Sequence, residues 1–112
     1  TGADLLADLT AHLVRALRDD PSRGGTYHAV AAGQTSWHGY ARHVVEFARA
    51  AGVPITVAPD AIEAVPTSDF PTPARRPHNS RLTTERLRRT FGVALPDWRS
   101  GVERMLVEVL GR

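Results

Sequence analysis

Residues 66–82 read PTSDFPTPARRPHNSRL. Pro66, Pro71, Pro73 and Pro77 interleave there with Arg75, Arg76 and Arg81, and no helical period runs through the stretch. A guanidinium is a planar fork that stays charged and matches phosphate oxygens in pairs, each charge-assisted bond contributing about 1.5–3 kcal/mol. Proline fixes its own φ and restricts the residue before it, so such a loop has little conformational entropy left to lose on ordering. The chemistry this composition suits is anion binding, with a pyrophosphate or another anion as the guest. The competing reading is a surface crossing whose arginines are solvated or pair with acids elsewhere, since exposed ion pairs are common and weak. Loop length favours the first reading, because structureless loops beyond about 12–15 residues are usually functional or disordered.

Other chemistries are excluded by what the chain lacks. All fourteen bases are arginine, so there is no Walker A lysine, no Schiff-base lysine and no Tyr-x-x-x-Lys catalytic pair. Tyr27 is followed four residues later by Ala31, and Tyr40 by Val44. Without cysteine there are no disulfides, thiolate metal sites or Cys nucleophiles. His12, His28, His38, His43 and His78 show no metal-ligand spacing; His38 and His43 are five apart and do not share a helix face. Ser36 and His38 have no acid placed to complete a triad, and a helix cap is the simpler role for Ser36.

The formal charge is only +2, and the pI of 9.9 mostly reflects the choice of arginine over lysine. Residues 1–70 carry five Arg against eight acids, 71–90 six Arg against one, and 91–112 three of each, for local sums of −3, +5 and 0. One short segment therefore owns the positive potential.

The elements that must position this loop follow from periodicity. Leu5, Leu6, Leu9, Leu13 and Leu17 form one apolar stripe, predicting an amphipathic helix over 3–18 that Asp19, Asp20, Pro21 and Gly24-Gly25 end. TYHAVAA, 26–32, bounded by glycines, reads as a strand buried on both faces. Gly33 to Ser36 form a turn, with Thr35 or Ser36 as N-cap of a helix over about 36–51. Trp37, Tyr40, Ala41, Val44, Ala48 and Ala51 line that helix, and Gly52 closes it. VPITVA, 53–58, is a second strand candidate, weakened by Pro54, and a loop follows from 59 to 80 with at most a short extended piece at 62–65. Thr83 or Thr84 caps a short helix through Thr90, with Leu87 and Phe91 buried and Gly92 after it. Asp97 caps the last helix, whose inner face is Trp98, Val102, Met105, Leu106 and Val109. Trp37 and Trp98 start helices on apolar stripes, which points to core or domain-interface packing.

The fold class is therefore α/β, in the order α, β, α, β, loop, α, α. A chain of 112 residues fits one domain and can bury about 65% of its unfolded surface, so an autonomous core is possible but not generous. Two strands leave unpaired edges unless others lie beside them. The chain is accordingly expected to be the distal part of a larger α/β protein, or to dimerise through its sheet. No apolar run approaches the roughly 20 residues that span a bilayer and nothing reads as a signal peptide, so the cytoplasm is the expected compartment and no membrane partner is expected.

Three stretches, GTYHAVAAGQTSWHGYA, VPTSDFPTPARRPHNSRL and FGVALPDWRSGVERMLVE, in that order and spacing, resemble the C-terminal part of the dTDP-4-dehydrorhamnose reductases, a family of extended short-chain dehydrogenases/reductases. The most specific piece is PTPARRP followed by NSRL, with TSWHGYA and LPDW in support, and the likeness runs nearly end to end. The resemblance implies a parent oxidoreductase that reduces the 4-keto group of a dTDP-6-deoxyhexulose with NADPH or NADH, giving dTDP-L-rhamnose for polysaccharide biosynthesis. It also implies late Rossmann elements at 1–33 and mainly a sugar-nucleotide substrate domain at 34–112. The glycine-rich cofactor loop and the catalytic Tyr and Lys would lie in the missing N-terminal Rossmann half, leaving no catalytic or cofactor-binding residue here and a chain inactive alone.

Residue by residue, Arg76 occupies the arginine of the family's PTPAxRP pattern, as a contact to the nucleotide sugar or part of the active-site wall; Arg75 sits at the variable position. An internal bond that shapes the loop is the alternative for Arg76. Asn79 and Ser80 belong to the same wall, chiefly as anchors through side chain to backbone bonds. Asp4 and Glu108 match acidic positions that in some members help bind Mg²⁺ across a homodimer interface, together with a carboxylate from the missing half. By themselves two carboxylates far apart in sequence are more simply solvated helix faces. A second reading is a non-catalytic sugar-nucleotide-binding or regulatory module on the same scaffold. A third, an arginine-rich nucleic-acid binder, predicts steeply salt-dependent affinity and is not favoured.

Overall fold

A computed structural model describes residues 1–111, which form four α-helices: α1 (Ala3–Asp19), α2 (Trp37–Ala50), α3 (Glu85–Phe91) and α4 (Trp98–Leu110). Single 3₁₀ turns occur at Pro21–Arg23 and Thr67–Asp69. The chain divides into two compact units, one of Thr1–Gly33 with Leu82–Gly101 and one of Gln34–Arg81 with Val102–Arg112.

In the first unit the leucine stripe of α1 does what its spacing dictates. Leu9 is buried beside Leu87 and Phe91 of α3, and Leu13, Ala16 and Leu17 pack around them. Leu87 is completely shielded from solvent. Tyr27 closes this core: its ring meets Phe91 edge-on at 5.1 Å, its hydroxyl donates to the Arg23 carbonyl (2.6 Å), and the Arg86 guanidinium lies 4.8 Å from the ring centre. Arg86 also donates to the Thr26 carbonyl at 3.1 Å. Gly92 ends α3 in the left-handed conformation (φ 66°), with its N–H on the Arg88 carbonyl.

The strand expectation at 26–32 is corrected. Among the described residues no strand forms; the only ladder contact is one parallel bridge, in which Ala32 N–H donates to Pro96 O (2.8 Å) and Trp98 N–H to Ala32 O (3.0 Å). Nor is the segment buried on both faces: His28 is exposed and Ala29 to Ala32 are half-buried. A ladder needs a neighbour running alongside for several residues, and the chain brings only the turn before α4 to it. Gly33 then reverses direction at φ 82°, where a β-carbon would stand 2.5 Å from Asp97 Oδ2. Asp97 caps α4 as its sequence position predicts, accepting from Arg99 N–H at 3.0 Å.

In the second unit Ser36, not Thr35, caps α2, its Oγ accepting from Gly39 N–H at 3.1 Å. The helix closes with a Schellman motif: Gly52 N–H donates to Arg49 O (2.9 Å) and Val53 N–H to Ala48 O (3.0 Å), with Gly52 at φ 79°. Ala48 and, on α4, Leu106 are its buried residues, and His43 of α2 pairs with Glu103 of α4 at 3.2 Å. Two aromatic and helix-face expectations are corrected here. Trp37 is 81% exposed and only edges against Tyr40, while Met105 and Val109 on the expected inner face of α4 are exposed. Being apolar and in period does not bury a side chain where the chain supplies nothing to pack on it.

At the α1 C-terminus Asp20 accepts from Ser22 Oγ (2.5 Å), Ser22 N–H (3.1 Å) and Arg23 Nε (3.0 Å). The Ser22 hydroxyl first, and then Arg23, hold its carboxyl below the usual carboxylate range. Its stabilising contribution is present above the ordinary carboxylate pKa and fades as pH falls through the lowered one. Ser22→Ala is expected to raise the Asp20 titration midpoint, read by carboxyl carbon NMR. Leu87→Ala should destabilise the fold by about 2–5 kcal/mol, since the vacated volume is fully enclosed; the midpoint of urea unfolding measures it.

Candidate anion-binding loop

The loop begins where α2 ends. After the Schellman turn, Val53 and Ile55 are half-buried while Pro54 and Thr56 are exposed, and the strand expectation for 53–58 is corrected. No ladder forms, and helix side chains take the backbone instead. Arg49 near the end of α2 donates to the Val57 carbonyl, and His38 in its first turn meets the Ile62 carbonyl through Nε2 at 2.8 Å, which requires the Nε2–H tautomer. Between these carbonyls the backbone makes a turn, Ala61 N–H donating to Ala58 O at 3.1 Å, so two helix side chains rather than an extended run tie the segment to α2, the later contact being at its N-terminal end.

There the second anchor lies. Asn79 Oδ1 accepts from Arg81 N–H at 3.1 Å and from Arg81 Nε at 2.9 Å, and the far edge of the same guanidinium donates to Gln34 Oε1 at 2.6 Å. Gln34 stands two residues before the Ser36 cap. Residues 63–80 thus leave and return at the N-terminal end of α2, a closed excursion of the Ω-loop kind. Inside it Pro66, Pro71, Pro73 and Pro77 limit the backbone, Thr67–Asp69 forms one 3₁₀ turn, and Thr72 Oγ1 donates to Ala74 O at 2.8 Å.

Both acceptors on Arg81 are neutral, so its charge is held in place without being cancelled. Residues 71–81 contain three arginines and no acid. Arg75 and Arg76 are exposed, and Ser80 is exposed beside them. A fixed loop presenting two adjacent guanidinium groups to solvent can receive an anion in bidentate fashion.

The same unit leaves the aromatic side chains of Trp37 and Phe70 exposed. The model of the RmlD substrate-binding domain matches residues 1–110. The chain belongs to that family. Its similarity to curated members is high along its length. A dTDP-4-dehydrorhamnose reductase of Escherichia coli is 56% identical over 109 residues, covering 97% of this chain, and one of Shigella flexneri is 55% identical over the same share. One of Burkholderia thailandensis is 46% identical over 106 residues, covering 91% of this chain. The chain spans 36% of the length of each.

Within this RmlD substrate-binding domain the residues singled out from sequence fall in two places. Arg76, Asn79 and Ser80 share the loop of the second unit, with Asn79 tied to Arg81 and Arg76 facing solvent. Asp4 lies in the first turn of α1 in the first unit, and Glu108 is exposed on α4 in the second. Among the described residues no group of three or more His, Asp or Glu side chains forms a metal-holding cluster.

Sequence reading missed Gln34, His38 and Arg49 as anchors. Their signal exists only in three dimensions, since His38 and Ile62 are 24 residues apart and Gln34 and Arg81 are 47 apart. His38→Leu should cost about 0.5–1.5 kcal/mol by removing one such bond. Amide hydrogen exchange is expected to quicken over residues 55–65 and stay unchanged in α1.

Proposed function

We propose that this chain is the sugar-nucleotide-binding portion of a longer NAD(P)H-dependent dTDP-4-dehydrorhamnose reductase, and that Arg76, with Arg75 beside it, receives the diphosphate of the substrate. One observation carries the reading: in a chain of the RmlD substrate-binding domain family, a proline-stiffened loop tied at one end to His38 of α2 and at the other to Gln34 just before it exposes two consecutive arginines to solvent.

The chemistry divides accordingly. This chain would bind and orient the nucleotide sugar, with permanently charged forks on the phosphate oxygens and Asn79 and Ser80 in the loop wall. The hydride that reduces the 4-keto group would come from NADPH or NADH held by the remaining polypeptide, together with the catalytic tyrosine and lysine that this sequence lacks. Tyr27 supports that division: its hydroxyl donates to the Arg23 carbonyl, and Ala31 rather than a lysine stands four residues after it. The run 26–31, which joins no strand among the described residues, would take sheet partners from a Rossmann half, and exposed Trp37, Phe70 and Val109 are surfaces a larger protein would cover. Residues 1–33 then read as late Rossmann elements and 34–112 as mainly substrate domain. Asp4 and Glu108 are the two carboxylates this chain would offer to a Mg²⁺ completed by other donors. No helix among the described residues is long and apolar enough to cross a membrane, and a cytoplasmic setting suits a nucleotide-sugar substrate.

Arg76→Ala in the full-length enzyme is the direct test. Loss of one charge-assisted pairing should lower kcat/KM by roughly 10- to 100-fold for the dTDP-sugar. Unchanged kcat and KM would remove the ligand role, and a loss of thermal stability with unchanged kinetics would make Arg76 a structural residue.

A further inference from the structure

Resting on the reading of Arg76 as a substrate contact, we propose that Gln34 is a positioning residue for it, acting through Arg81. The loop that carries Arg76 has a regular hydrogen-bond ladder at neither end. Its return to the body of the unit depends on one guanidinium, gripped by Asn79 on its Nε edge at 2.9 Å and by Gln34 Oε1 on Nη1 at 2.6 Å. Asn79 belongs to the loop itself, two residues from Arg81, and so shapes the turn without tying it to anything outside. Gln34 links this end of the loop to the segment that leads into α2. Arg76 is five residues upstream of Arg81, with Pro77 stiffening the path between them. A shift of the Arg81 anchor therefore carries Arg76 with it rather than being absorbed on the way. The acceptor is an amide and not a carboxylate, which leaves the positive charge of Arg81 available to a bound anion while still fixing its place. Arg76 and Arg81 thus divide the work: one faces the ligand, and the other holds the loop and adds field.

The test uses the full-length enzyme with Gln34→Ala and Gln34→Glu, and reads kinetics beside limited trypsin cleavage of the Arg75–Arg76 bond. Gln34→Ala should raise KM for the dTDP-sugar about 5- to 10-fold and leave kcat within about twofold, because binding is misaligned while the hydride-transfer residues are untouched. Cleavage after Arg75 should speed up in the same variant. Gln34→Glu keeps an acceptor for Arg81 and is expected to restore protease resistance to near the parent value, while its carboxylate offsets the Arg81 charge and leaves KM between those of the parent and Gln34→Ala. Faster cleavage in Gln34→Ala with unchanged KM, while Arg76→Ala still raises KM, would overturn the positioning role and leave the substrate reading intact. Unchanged KM in Gln34→Ala and Arg76→Ala alike would sink the substrate reading itself. Equal cleavage in Gln34→Ala and the parent would show that the Arg81 anchor does not hold the loop, and would also overturn the inference.

Discussion

Thirty-four residues, 51–84, lie between the end of α2 and the start of α3 with neither α-helix nor ladder to satisfy their backbone. Point contacts to α2 and the residues just before it hold them. Arg49 takes the Val57 carbonyl, His38 takes the Ile62 carbonyl, and Gln34 takes the Arg81 guanidinium. Polar backbone that finds no internal partner must find a side chain or water, and the helix supplies two side chains to these carbonyls. The direction of the segment, the place where the loop opens and the place where it closes all follow from those contacts.

The loop's own composition complements that arrangement. Proline lowers the number of conformations available to the free chain, so a few anchors suffice to order it. Arginine rather than lysine suits both of its uses here. Only a planar fork can meet Asn79 on one edge and Gln34 on the other, and a weakly hydrated, permanently charged group is the better partner for a phosphate. Because Arg81 is satisfied by neutral oxygens, residues 71–81 keep their full positive charge at the surface.

The first unit is organised on a different basis. Its core joins the N-terminal helix to α3, with Tyr27 between them, and Arg86 reaches across 60 residues of sequence to Thr26. Hydrophobic burial does there what discrete hydrogen bonds do around the loop. It is also incomplete in the same sense: the run from Thr26 to Ala32 has the composition of a strand, yet its bridge to Asp97 is made by its last residue alone, with Ala31 N–H on the Thr1 hydroxyl. Composition of that kind fits the RmlD substrate-binding domain as one portion of a longer protein, 36% of the length of the reductases it resembles.

The four helices, the Ser36 and Asp97 caps and the glycine closures at Gly52 and Gly92 were legible in the sequence, as were the excess of arginine in one proline-rich loop and the absence of any Tyr-x-x-x-Lys pair. A helix makes its hydrogen bonds within four residues, and a cap within three, so local spacing is enough to specify them. Tertiary structure alone decided that Trp37 and Val109 stay exposed, that 26–32 and 53–58 form no ladder, and that Gln34 and His38 close the loop. Burial and pairing depend on what else the chain brings alongside, and contacts 24 to 60 residues apart leave no periodic trace in the sequence.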